Sequence, residues 1–142
     1  MSDESYSPLY LAGIEHFNVC DFYESHEVWE ELWADYQGPS RKFYQGLIQA
    51  AVALHHFGNG NVRGAFKLFH SSRDYMAPYG PVYLGLDSTG FWTQMQRCFS
   101  EVLNPPNPDH RPVLDEDQVP VITLDPPPEQ WPDPEELLRH AD

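Results

Sequence analysis

His26 and Glu30, four residues apart, carry the clearest chemical potential in this chain. An imidazole changes charge near neutral pH and ligates metals; a carboxylate accepts hydrogen bonds, takes up protons and binds cations. Both lie in the run Phe22-Tyr23-Glu24-Ser25-His26-Glu27-Val28-Trp29-Glu30-Glu31-Leu32-Trp33. Wound as a helix, that run puts Phe22, His26, Trp29 and Trp33 on one apolar stripe, with Glu30 at its edge. Polar groups on a buried stripe need partners, because an unmet buried hydrogen bond is costly.

A second polar row answers the first. Gln45, Gln49, Val52 and His56 fall at i, i+4, i+7 and i+11, on one face of the next helix. A short turn joins the two helices, so they pack as antiparallel neighbours, and His26 and Glu30 are expected to face Gln49, with Gln45 or His56 nearby. Glu27 lies at the border and joins the candidate cluster. Three chemistries are open to it. The first is a buried Glu–His–Gln network that fixes helix register. The second is a divalent metal held by His26 and Glu30, with Glu27 or His56 contributing. The third is acid–base catalysis by a histidine beside a carboxylate. The spacing matches neither Glu-x-x-His nor His-Glu-x-x-His metal motifs. No phosphate-binding glycine loop or nucleophile elbow occurs. Glu24 and Glu31 read as a solvated face, and Trp29 and Trp33 as core.

The elements that must position these groups are legible from caps and breakers. Ser7 caps a first helix with Pro8 at its first position and Tyr10, Ile14 and Phe17 inward; it ends near Asn18. Asp21, followed by Glu24, caps a second helix that runs to about Tyr36 and stops at Gly38-Pro39. The third runs from after Ser40 to about Phe57 and is apolar almost all round, which marks a central helix. Its Gly46 is expected where another backbone approaches closely. Asn61 caps the fourth, with Val62, Ala65, Phe66, Phe69 and Met76 inward, ending before Pro78. Pro78 to Asp87 reads as a loop. Ser88 caps the fifth, whose inward residues run from Phe91 to Leu103.

Asn104-Pro105-Pro106 ends the helical pattern. The remainder holds 10 of the 14 prolines and reads as an extended tail. Within it, Val119 to Leu124 is apolar, and is expected to lie along the helical body or add to a partner. Trp131 is a further candidate anchor, and Glu135 to His140 a last helical turn. The expected organisation is one all-α domain of about five helices over residues 7–103, followed by a Pro-rich acidic tail over 104–142, extended or docked on the bundle.

Charge narrows the function classes. The net charge is −14; residues 1–103 carry 12 acids and 6 Lys+Arg, and residues 104–142 carry 10 and 2. So negative a field disfavours nucleic acid and anionic membrane surfaces as partners. The N-terminus is acidic, without the apolar run of a secretion signal, and no window is apolar enough to span a bilayer. Cys20 and Cys98 lack metal or redox spacing, and Cys98 reads as a small core residue. A reducing cytoplasm is the expected setting.

The motifs themselves resemble a family. Phe17-Asn18, the run from Phe22 to Trp33, the run from Phe43 to His56, and Gly60-Asn61 with Arg63-Gly64-Ala65 resemble family 309 of the domains of unknown function, over roughly residues 9–103. The matching positions include Asn18, His26, Glu27, Glu30, Trp33, Gln45, Gly46, Gln49, His55, Asn61 and Gly64. The resemblance implies a small all-α bundle whose motif residues gather between central helices, and brings no reaction, cofactor or partner. The leading functional expectation is a binding or scaffold module with a buried polar pocket around His26, Glu30 and Gln49, for a protein or small molecule, with homo-oligomerisation to cover aromatic surface. The alternative is a small, metal-dependent enzyme acting on a small polar substrate.

Overall fold

The computed structural model describes residues 6–133. Those residues form an all-α fold whose helices pack in chain order. Helix α1 (Pro8–Asn18) begins at Ser7, whose side chain accepts from Leu9 N–H. Helix α2 (Phe22–Asp35) is capped by Asp21, which accepts from Glu24 N–H. Helix α3 (Arg41–Gly58) is the central element, with ten buried residues. Asn61 caps α4 (Val62–Met76) by accepting from Gly64 N–H. Each cap supplies an oxygen to an N–H that the helix itself leaves unpaired.

Pairing follows the short connections: α1 packs on α2, α2 on α3, and α3 on α4. Trp29 sits at the α1–α2 contact, fully buried, and its indole donates to Tyr10 O at 3.1 Å. The α3–α4 contact is close at Gly46, as expected. A Cβ there would collide with the Met76 side chain and come within 3.3 Å of Ser72 O, and Ser72 Oγ donates to Gly46 O at 2.6 Å. A ring of aromatics from Tyr10, Phe17, Phe43, Phe57, Phe69 and Phe99 fills the centre.

The structure corrects several expectations. Pro78 to Asp87 is not simply a loop: a 3₁₀ turn over Ala77–Tyr79 leads to a two-stranded hairpin, β1 (Val82–Tyr83) and β2 (Leu86–Asp87). Leu84 and Gly85 both adopt positive φ between them, as a tight two-residue hairpin turn requires. Asp87, rather than Ser88, caps α5 (Ser88–Cys98), accepting from Gly90 N–H at 3.0 Å. Carboxylate and hydroxyl both serve at that position, and the hairpin register decides between them. The fifth helix is interrupted at Phe99, and a short α6 (Ser100–Leu103) follows. Phe66 is 44% exposed instead of inward, because Ala65 and Phe69 occupy the stripe that faces the core.

After α6 the chain becomes a strap along the bundle. A 3₁₀ turn over Glu116–Gln118 precedes Val119, Ile122 and Leu124, all buried in the core. The Asn18 carboxamide donates to Ile122 O at 2.9 Å and accepts from Ile122 N–H at 2.8 Å. Gln94 donates to Gln118 O, Asp125 N–H to Gly85 O, and Tyr6 to Pro126 O. The alternation of Val121 out, Ile122 in, Thr123 out and Leu124 in is that of an extended chain on a core. Trp131 is 37% exposed and thus a weaker anchor than expected. The helical turn expected over residues 135–140 lies outside the described residues. Among the described residues, no helix is long and apolar enough to cross a membrane.

Candidate functional site

Helix α2 presents His26, Glu27 and Glu30 on its outer edge. The His26 side chain is 17% exposed, and those of Glu27 and Glu30 are 49% and 54% exposed. The expected buried pair is therefore a half-buried histidine beside two solvated carboxylates. Glu30 sits where the wheel predicts, at the margin of the apolar stripe; from there its long side chain reaches water instead of the helix interface.

The local geometry of His26 is definite. Its Nδ1 lies 2.9 Å from Tyr23 O, and a carbonyl only accepts, so Nδ1–H donates. The neutral ring then carries a lone pair on Nε2. That atom lies 3.7 Å from Glu27 Oε2 and 3.7 Å from Glu30 Oε2. One ligand atom from each of the three residues falls within 4.8 Å of the others. All three atoms are acceptors, so a proton on Nε2 or a shared cation relieves their repulsion. Ligand atoms around one zinc ion, each about 2.0–2.2 Å from it, stand roughly 3–3.5 Å apart, so the triad is close to a coordinating arrangement. A carbonyl partner on the other ring nitrogen is the usual way a ligating histidine is oriented.

Beside the triad runs a groove of about 260 Å³. Glu30 forms one wall together with Trp33, and Gln45 and Gln49 of α3 form the other. Ile48 and Val52, with Leu68 from α4, give it an apolar lining. Two polar atoms of these walls are buried and have no hydrogen-bond partner among the described residues: Trp33 Nε1 and Gln49 Oε1. Arg41 stacks on Trp33, its guanidinium carbon 4.0 Å from the ring centre. The same guanidinium donates to Trp33 O at 2.6 Å and Tyr36 O at 2.7 Å, closing the C-terminal end of α2.

The structure thus joins His26 and Glu27 to Glu30, and Glu30 to Gln45 and Gln49. His56 is elsewhere. Asn61 spends its oxygen on the α4 cap, so its amide N–H₂ donates to His56 Nδ1 at 3.2 Å, in the α3–α4 turn. His55 is nearer the triad: the Tyr23 ring lies 5.3 Å from His26 and 5.7 Å from His55. Leu68 was not expected in the site, and Trp33 only as one of the matching family positions. Trp33 reads as core from its stripe, and only the placement of α4 brings Leu68 across.

The motif residues then meet a known family. Residues 10–68 match the model of the domain of unknown function DUF309. That match takes in most of α1, all of α2 and α3 and part of α4, and so includes the triad and the whole groove as far as Leu68. An uncharacterised protein of Aquifex aeolicus (strain VF5) is 48% identical over 46 residues, which is 32% of this chain and 14% of that protein. The uncharacterised protein YpuF of Bacillus subtilis (strain 168) is 34% identical over 101 residues, 68% of this chain and 58% of its own length. The chain thus spans under two thirds of either relative.

Proposed function

We propose that this chain is a helical binding module whose ligand site is the α2–α3 face, from His26 through Glu30 to Gln49. One observation carries the reading: Trp33 Nε1 and Gln49 Oε1 are both buried and unpaired among the described residues, and both belong to walls of the same groove. A buried donor or acceptor left without a partner costs about 1–3 kcal/mol. Two such groups in one small groove are accounted for if a ligand completes their hydrogen bonds. The DUF309 match over residues 10–68 covers the site and supplies no activity of its own. The test is a fragment screen by two-dimensional NMR on labelled protein. Ligands that move the Trp33 indole and Gln49 amide resonances together are the expected result. A broad screen that moves neither would overturn the reading.

A second reading, a divalent metal centre at His26, Glu27 and Glu30, is favoured by the convergence of their ligand atoms and by the Tyr23 carbonyl behind His26. A borderline ion such as Zn²⁺ or Mn²⁺ suits one imidazole and two carboxylates. With water completing its shell, it would make the site a small metal-dependent enzyme for a polar substrate. Calorimetric titration with Zn²⁺ and Mn²⁺ checks this. Saturable binding at one ion per chain, lost in His26→Ala, is expected on this reading; binding that His26→Ala leaves unchanged would sink it.

A further inference from the structure

The charges around the groove restrict what it can hold. Among the described lining residues only Glu30 has an acidic or basic side chain, and the Arg41 guanidinium stacked on Trp33 is engaged by the Trp33 and Tyr36 carbonyls. Glu27 lies next to Glu30 on the triad side, and the whole chain carries −14. An anionic ligand meets repulsion here at short and long range. A cation is attracted by both.

The hydrogen-bonding groups narrow the class further. The Glu30 carboxylate offers two oxygens that only accept, and Gln49 Oε1 is a buried acceptor unmatched among the described residues. A primary ammonium has three N–H donors and no acceptor. Two carboxylate oxygens and one amide oxygen match those three donors in number. Beyond these oxygens Ile48, Val52 and Leu68 give a lining that accommodates methylene groups. At about 260 Å³ the groove lies below the usual range for drug-sized ligands, so the occupant is short.

Resting on the binding reading above, we infer that the groove takes a primary ammonium group on a short aliphatic chain. Its N–H donors go to the Glu30 carboxylate and Gln49 Oε1, and its methylenes lie on Ile48, Val52 and Leu68. Two sources supply that chemistry: a free aliphatic amine, or the lysine side chain of a partner protein. The Trp33 indole N–H, a donor, is left for an oxygen acceptor further along the ligand. An amide carbonyl beside a lysine side chain provides one; a simple alkylamine does not.

The experiment is NMR titration of the full chain with four probes: n-butylamine, n-butanol, sodium butyrate, and lysine blocked as its N-acetyl methylamide. Butylamine is expected to shift the Gln49 amide saturably, at least tenfold more tightly than butanol or butyrate. Glu30→Gln should weaken it about tenfold or more, whereas Glu24→Gln, outside the groove, should leave it unchanged. Blocked lysine binding more tightly than butylamine, with a Trp33 indole shift, identifies a protein side chain as the source. The reverse order identifies a free amine. If butanol or butyrate binds the groove as well as butylamine does, the ammonium assignment is overturned while the binding module stands. If butylamine binds equally to Glu30→Gln, the attraction is only the general negative field, and the assignment is likewise overturned. If nothing in a broad screen reaches the groove, the binding reading itself falls. Gln49→Leu provides an independent check: it removes an unpaired acceptor, so it should raise the unfolding midpoint of the free protein and abolish the amine-induced shift.

Discussion

His26 holds one ring nitrogen against the Tyr23 carbonyl and turns the other toward two carboxylates. That arrangement is local to one helix turn and rests on solvated partners, which decides its energetic worth. Exposed ion pairs contribute at most about 1 kcal/mol and the Nδ1–H bond to Tyr23 O about as much, so His26→Ala should lower stability by roughly 1–2 kcal/mol. Urea unfolding checks it; a loss above about 2 kcal/mol would place Glu30 in a buried network after all. Much at this scale is legible beforehand. The i, i+4 spacing of His26 with Glu30 and of Gln45 with Gln49 already puts these residues on facing stripes. Burial at the margin of a stripe is not legible, because it depends on how far the neighbouring helix covers it. Glu30 therefore emerges into water where the wheel alone suggests an interface. His56 shows a second gap: its row is correct, but the Asn61 cap, set by the following turn, holds the ring at the far end of α3.

Helices are the level at which the sequence speaks most plainly. Ser7, Asp21 and Asn61 are capping residues by type and act as caps, and the glycine and proline breakers fall at the turns. Phe66 and the hairpin are where it is mute. Four adjacent positions of α4 carry three apolar residues, so periodicity admits two stripes, and only packing against α3 selects Ala65 and Phe69. Two-residue strands are too short for alternation to register. Gly46 is the element-scale residue with the firmest consequence. Its hydrogen stands where α4 passes, with Ser72 O within 3.3 Å of any added Cβ. Gly46→Ala gains helix propensity of about 1 kcal/mol but must shift a backbone, and overpacking of this kind costs about 1–3 kcal/mol. The expected result is a lower thermal midpoint with unchanged helical circular dichroism. A rise in the midpoint would mean that Met76 alone gives way.

For the molecule as a whole, the strap and the buried titratable groups set the terms. Val119, Ile122 and Leu124 each bury a side chain worth about 1.5–3 kcal/mol, offset by the entropy of ordering the strap. Truncation after Leu103 should therefore keep helical content at low temperature yet lower the urea midpoint clearly. An unchanged midpoint would show that the strap adds nothing net. Alkaline pH acts through other groups. Burial, then Asp115 and Cys20, push the Cys98 thiol up to about 12, and burial followed by Tyr36 and Tyr83 pushes the Tyr44 hydroxyl up to about 12. Below the ordinary values of these groups, folded and unfolded chains hold the same protons. Above them the unfolded chain ionises first, so stability falls as pH rises from about 9 toward 12. Urea midpoints at pH 8, 9 and 10 should decline in order, and Cys98→Ala should flatten the first step. A midpoint that rises over that range contradicts the sign.

The Asn18 carboxamide pairs with both the N–H and the carbonyl of Ile122, 104 residues away. By contrast, the helices pack mainly on their neighbours in the chain, contacts that close early because little chain entropy is lost. Asn18 therefore imposes an order in time. The bundle can assemble from local contacts while the C-terminal portion is still being synthesised, and the Asn18–Ile122 pair can form only after residue 122 has emerged. Because a slip of one residue would turn Ile122 and Leu124 toward water, this single side chain also acts as the gauge that tells the arriving strap where to stop.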